Sequence, residues 1–178
     1  IKMNGIDGLQ QRVTGFVVSF MLAAASACAA TASAVSAQSP SEAYLDALQG
    51  TWVMAGTLGG KPVRYHADGR RVLQGGFLKL HMIDAQSPPQ YEADVYIGFD
   101  PKAGDYIAHW LDRFGAAGAR VLGRGERTGN RLVMVFPYAE GAFRDTFTWR
   151  PESTSWILLV ESRSADGAWS TFASYVMT

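Results

Sequence analysis

Cysteine, histidine and surplus charge are scarce in this chain. Of its 178 residues one is cysteine, Cys28, and three are histidine, His66, His81 and His109. A lone cysteine cannot form an internal disulfide. No two histidines stand at i, i+2 or i, i+4 spacing, so the usual zinc-ligand patterns are missing. Sixteen basic residues balance sixteen acidic ones. Interspersed, cancelling charge gives no electrostatic basis for holding nucleic acid or an anionic membrane surface. There is no Gly-x-Ser-x-Gly elbow, no phosphate-cradling glycine loop and no Ser/His/Asp grouping.

What is present begins with a polarised N-terminal segment. Lys2 and Arg12 precede the apolar run from Val13 to Leu22, and small residues continue to Ala37. That order predicts a secretory signal peptide over 1–37, with Ala32-Ser33-Ala34 and Val35-Ser36-Ala37 as cleavage sites, the second preferred. The apolar run is shorter than the ~20 residues of a spanning helix, which argues against a membrane span. Ala25-Ser26-Ala27-Cys28 loosely resembles a lipobox, but Ala25 stands where a Leu-like residue is wanted, so lipid attachment at Cys28 is disfavoured. The expected location is the periplasm or the medium. Cleavage would remove Lys2, Arg12 and Asp7 and leave 141 residues carrying 14 basic and 15 acidic side chains.

After residue 37 the pattern changes twice. Ser39-Pro40-Ser41-Glu42 has the spacing of a capping box, with Leu45 and Leu48 on one side and Gly50 placed to end a short helix over 38–50. From there to residue 178 no helical period competes with period-two alternation. Strands are predicted at 51–58, 61–67, 71–74, 76–84, 91–99, 105–111, 119–127, 131–136, 142–150, 155–163 and 168–176. Gly59-Gly60, Asp68-Gly69, Ser87-Pro88-Pro89, Gly129-Asn130 and Asp166-Gly167 read as the turns between them. Roughly ten short strands in one all-β domain over 51–178 indicate a closed antiparallel barrel or a sandwich.

Three hairpins choose the inward face. With 101–104 as a loop, Phe99 opposes Tyr106, Ile97 opposes Ala108 and Val95 opposes Trp110, so these six apolar side chains share one wall. With Gly129-Asn130 as a loop, Val121, Gly123 and Gly125 share a side with Leu132, Met134 and Phe136. With Asp166-Gly167 as a loop, Leu158 and Val160 share a side with Ala173 and Tyr175. Glycines inside a strand permit bending or leave room opposite a large side chain, which suits a barrel.

Two motifs carry a resemblance. Leu48-Gln49-Gly50-Thr51-Trp52 resembles the Gly-x-Trp signature of lipocalin-like (calycin) barrels. Gly98-Phe99-Asp100, Gly104-Asp105-Tyr106, Trp110-Leu111-Asp112 and Gly115, preceded by Leu73-Gln74-Gly75-Gly76-Phe77-Leu78, look like the central block of a bacterial lipocalin-like family of unknown function. The likeness spans about residues 45–178 and implies a lipocalin-like barrel of about ten strands, its Trp52 plugging one end. Such barrels often pack a C-terminal arginine on that tryptophan, whereas this chain ends Tyr175-Val176-Met177-Thr178. A related family holds haem through a C-terminal histidine, and none follows His109. No haem, metal or other cofactor is therefore expected.

The expected role is non-covalent binding of a small hydrophobic or amphipathic molecule inside the barrel. Trp52, Tyr106, Trp110, Phe136, Arg144 and Tyr175 are the candidate ligand-binding residues, with Phe147 and Trp149 also facing inward. Two other readings stay open. A filled barrel would be a structural or interaction module, contacting a partner (a homodimer included) through outward Ile157, Leu159 and Phe172. A barrel-mouth enzyme would use Asp112 or Asp145, although Asp112 also suits a turn and Asp145 a structural pair.

Overall fold

The computed structural model describes residues 39–178. The expected signal peptide, its cleavage sites and Cys28 lie outside the described residues. Ser39 caps helix α1 (Pro40–Asp46), its Oγ accepting the Glu42 N–H at 3.2 Å, with Pro40 in the first turn. The Glu42 carboxylate does not complete the box; it pairs with Arg71 at 2.6 Å, and Asp46 pairs with the same guanidinium at 2.6 Å. Helix α1 stops before Leu48, and Gly50 opens the first strand.

The strands are β1 (Gly50–Leu58), β2 (Lys61–Val72), β3 (Phe77–Asp84), β4 (Glu92–Asp100) and β5 (Asp105–Asp112), followed by β6 (Leu122–Thr128), β7 (Arg131–Phe136), β8 (Phe143–Arg150), β9 (Ser155–Arg163) and β10 (Trp169–Met177). Each pairs antiparallel with the next, and β10 returns to β1, so ten strands close a barrel with no free edge. The sequence reading of the class holds: an all-β closed antiparallel barrel with one short helix at its N-terminal side. Among the described residues no helix is long and apolar enough to cross a membrane.

The hairpin around Pro101 forms in the expected register, with Phe99 opposite Tyr106, Ile97 opposite Ala108 and Val95 opposite Trp110. Asp100 holds its turn by accepting the Lys102 and Ala103 N–H groups, and Gly104 turns the chain at φ 74°. Gly125 faces Met134, as the Gly129-Asn130 turn requires.

Two readings are corrected. Asp68-Gly69 is not a turn: it lies within β2, which runs on from 61–67 through Val72 and in which Gly69 pairs with Gly50, while Leu73 and Gln74, read as strand, lie in a short 3-10 turn. A β-carbon on Gly69 would lie 2.0 Å from the Leu48 carbonyl oxygen, so this glycine admits the chain leaving α1. The last turn is also longer than Asp166-Gly167, since Arg163 pairs with Trp169. A bulge between Thr171 and Ala173 absorbs the offset, which restores Val160 opposite Ala173 and Leu158 opposite Tyr175.

Gly123 leaves room for a large neighbour, as expected of a strand glycine here. A β-carbon there would sit 2.6 Å from the Phe136 ring. Gly123→Ala should therefore cost about 1–3 kcal/mol by overpacking. Adding Phe136→Leu should return part of that loss in urea unfolding, and purely additive losses would contradict the contact.

Candidate functional site

Alternation sends Leu78, Leu80 and Met82 of β3, Val95 and Ile97 of β4, Leu132 and Met134 of β7 and Leu158 of β9 into the barrel, where all are buried. The two ends of this interior differ. Helix α1 closes one. Leu45 and Leu48 are buried there, each stabilising by about 1.5–3 kcal/mol. The Tyr44 hydroxyl donates to the Phe147 carbonyl at 2.9 Å, and the Trp156 indole donates to the Ala47 carbonyl at 3.1 Å. Rings fill what remains: Tyr44 lies 5.1 Å from Trp156 and 6.4 Å from Tyr106, and Phe99 lies 5.0 Å from Tyr106. This end is a packed floor.

The other end is open and walled by aromatics in contact with one another, mostly edge to face. Tyr175 meets Tyr65 at 5.8 Å between ring centroids, and Tyr65 meets Tyr91 at 5.9 Å. Tyr91 accepts the Trp110 indole N–H at 2.9 Å, and Trp110 stands edge-on to Phe136 at 6.4 Å. From Phe136 the contacts continue through Tyr138 and Phe143 to Phe172. Strand β10 supplies both ends of this chain of rings, Tyr175 and Phe172, so the rings form a collar around the mouth. They enclose a cavity of about 530 Å³, which Met54, Met82 and Val160 complete with apolar surface.

Asp145 is the polar exception in this wall. It follows the inward Phe143 on β8, and the cross-strand positions beside it hold Met134 and Val160. It is 3% exposed and lines the cavity. Among the described residues its carboxylate has no hydrogen-bond or ion-pair partner, and burial pushes its pKa up to about 7. Burial also raises the pKa values of the Tyr91, Tyr138 and Tyr175 phenols, and the neighbouring Asp145 charge adds to each shift. At the rim stand Asp112, Glu140 and Arg163. Asp112 accepts the Phe114 N–H at 2.9 Å, the turn role open to it from sequence, and the Arg163 guanidinium donates to the Gly167 carbonyl.

The six residues singled out from sequence divide three ways. Trp110, Phe136 and Tyr175 line the cavity. Tyr106 and Trp52 face inward but belong to the floor, Tyr106 donating to the Ser41 carbonyl at 3.3 Å and Trp52 to the Leu48 carbonyl at 3.0 Å. The segment just after α1 thus supplies Trp52 with its polar partner. Arg144 does not reach the cavity. It alternates with the inward Phe143 and Asp145, so it lies outside, bidentate on Glu161 at 2.7 and 2.8 Å and 4.4 Å from the Trp169 ring.

Sequence reasoning missed Tyr65, Tyr91 and Tyr138. Alternation with the buried Ala67 could have signalled Tyr65. Tyr91 has the parity of Val95 within the strand read over 91–99, so alternation could have signalled it too, whereas Tyr138 sits two residues past β7, where period two carries no information. The histidines lie away from the cavity: His81 contacts Asp94 at 2.8 Å and His109 contacts the Ala119 carbonyl at 2.7 Å. Among the described residues no group of three His, Cys, Asp or Glu side chains could hold a metal ion. Comparison with family models and with curated proteins finds no match to this chain.

Proposed function

We propose that this protein is an exported, lipocalin-like binding protein that holds one small, mostly apolar molecule in the open end of its barrel. The cavity of about 530 Å³ carries the reading, because small-molecule pockets occupy roughly 300–1,000 Å³ and are walled by apolar and aromatic side chains. A packed floor with an open collar is the arrangement a carrier needs: one end holds the fold while the other admits the guest. A filled barrel would leave no cavity of this size, and of the outward residues it would use, Phe172 stays 43% exposed while its ring meets Phe143 at 5.2 Å beside the mouth. Among the described residues the enzyme reading has one buried unpartnered carboxyl, Asp145, in the cavity and no histidine in the cavity lining.

A neutral fluorescent probe, N-phenyl-1-naphthylamine, tests this directly. It should bind with a Kd in the micromolar range and brighten on transfer from water. Ala173→Trp, which places an indole in the cavity, should abolish the signal and keep the β-rich circular-dichroism spectrum. A wild-type protein that leaves the probe dark at saturating concentration would remove the binding reading.

A further inference from the structure

We propose that the molecule held in the cavity is an organic cation, an ammonium group on an apolar or aromatic body, with its charge seated against Asp145 beneath the collar. The inference rests on the binding-protein reading above and names the class of guest.

Geometry carries it. A carboxylate kept for structure is normally found with a cation or several N–H donors, because leaving it unpaired and dry is costly. Asp145 has neither among the described residues, although Arg144 is its chain neighbour, because alternation turns that guanidinium outward onto Glu161. The unmatched charge opens onto a cavity rather than onto packed side chains. A neutral apolar guest would leave it unmatched, and an anionic guest would meet repulsion.

The surrounding rings suit the same guest. Ammonium groups are attracted to aromatic faces, most strongly where water is excluded. Trp110, Tyr91, Tyr138 and Tyr175 line the space into which Asp145 faces. The charged groups along the wall and rim lean the same way: Asp145, Asp112 and Glu140 against Arg163, whose guanidinium is also 5.8 Å from the Trp169 ring.

Affinity should follow the ionisation of Asp145. Facing it are the phenols of Tyr91, Tyr138 and Tyr175 and the cross-strand Met134 and Val160, with Asp112, Glu140 and Arg163 at the rim. The phenols stay neutral through neutral pH. Capture of a cation is thus favoured above about pH 7 and release below it, the direction set by the raised carboxyl.

A charge-matched pair of probes tests the proposal. (2-Naphthylmethyl)trimethylammonium and its uncharged carbon isostere, 2-neopentylnaphthalene, have the same shape, and the quaternary charge does not titrate. Wild-type protein at about pH 8 should bind the cation at least roughly ten-fold more tightly, and the preference should shrink as pH falls below about 6. Asp145→Asn should erase the preference, so that the two probes bind that variant within about two-fold of each other. If the isostere binds as tightly as the cation, the cation assignment is overturned and the binding reading stands. If neither probe binds, both are overturned. A preference that persists in Asp145→Asn also overturns the assignment. Should that variant fail to fold, the wild-type pH series decides alone, a pH-independent preference counting against Asp145.

Discussion

Asp145→Asn is expected to stabilise the unliganded protein at about pH 8 by about 2–4 kcal/mol, a gain that vanishes below about pH 4. The sign follows from proton uptake. In the unfolded chain Asp145 ionises in the ordinary carboxylate range, while in the folded barrel burial holds its proton up to about pH 7. Between those values the folded state binds more protons than the unfolded one. Wild-type stability contributed by this group is therefore full below the lower value, falls as pH rises through the window, and is lost above the upper one. Asparagine does not titrate, so the variant escapes the loss. The upper end of the range is the full effect of such a shift, and the lower end allows for an amide that is itself left unpaired. Urea unfolding of both proteins at several pH values measures the difference, in which other titrating groups cancel. A constant offset across pH would show that Asp145 ionises alike in the two states.

Two tryptophans should respond in opposite ways to truncation. Trp156 is 0% exposed, hydrogen-bonded to the Ala47 carbonyl and packed 5.0 Å from Trp149 and 5.1 Å from Tyr44. Trp156→Ala should cost about 3–5 kcal/mol, because the floor is bound on every side and cannot collapse into the space. Trp110 is only half-buried, borders the cavity and donates to Tyr91. Trp110→Ala should cost about 1–2 kcal/mol, since part of its surface already faces open volume. Its larger effect should be on binding: probe affinity should fall about ten-fold or more in Trp110→Ala and stay within about two-fold in Trp156→Ala. Equal stability losses with unchanged probe binding in both variants would mean that Trp110 is ordinary core and the collar is not a binding wall.

Much of the barrel could be read from local chemistry. Asp100, Pro101 and Gly104 specify one turn, and that turn sets the register of Val95, Ile97 and Phe99 against Tyr106, Ala108 and Trp110. Ser39 and Pro40 start a helix wherever the chain places it. Gly123 announced a crowded neighbour, although not which ring supplies it. Local signals failed where one residue type serves two purposes. The glycine of Asp68-Gly69 reads as a turn residue, yet here it makes room for the Leu48 carbonyl, a contact made by a segment some twenty positions earlier. Arg144 reads as a polar group near aromatics, yet its place beside the inward Asp145 turns it outward onto Glu161.

The sequence by itself determined the fold class, the register of the Pro101 and Gly129-Asn130 hairpins and, by alternation, most of the side chains that face the interior. Those are properties of neighbours in the chain, fixed by a two-residue period and by turn geometry. How deep each inward side chain lies was decided only by the tertiary structure. Tyr106, Trp110 and Phe136 look alike as inward aromatics, yet one is floor and two are collar. That division depends on α1 occupying one end of the barrel and on β10 closing against β1, a pairing of Met54 with Met177 across most of the domain. The isolation of Asp145 has the same origin. Its neighbours in space come from β7, β9, β10 and the segments beside β4 and β7, and only closure of the sheet brings those phenols and apolar groups around it, with no cation among the described residues.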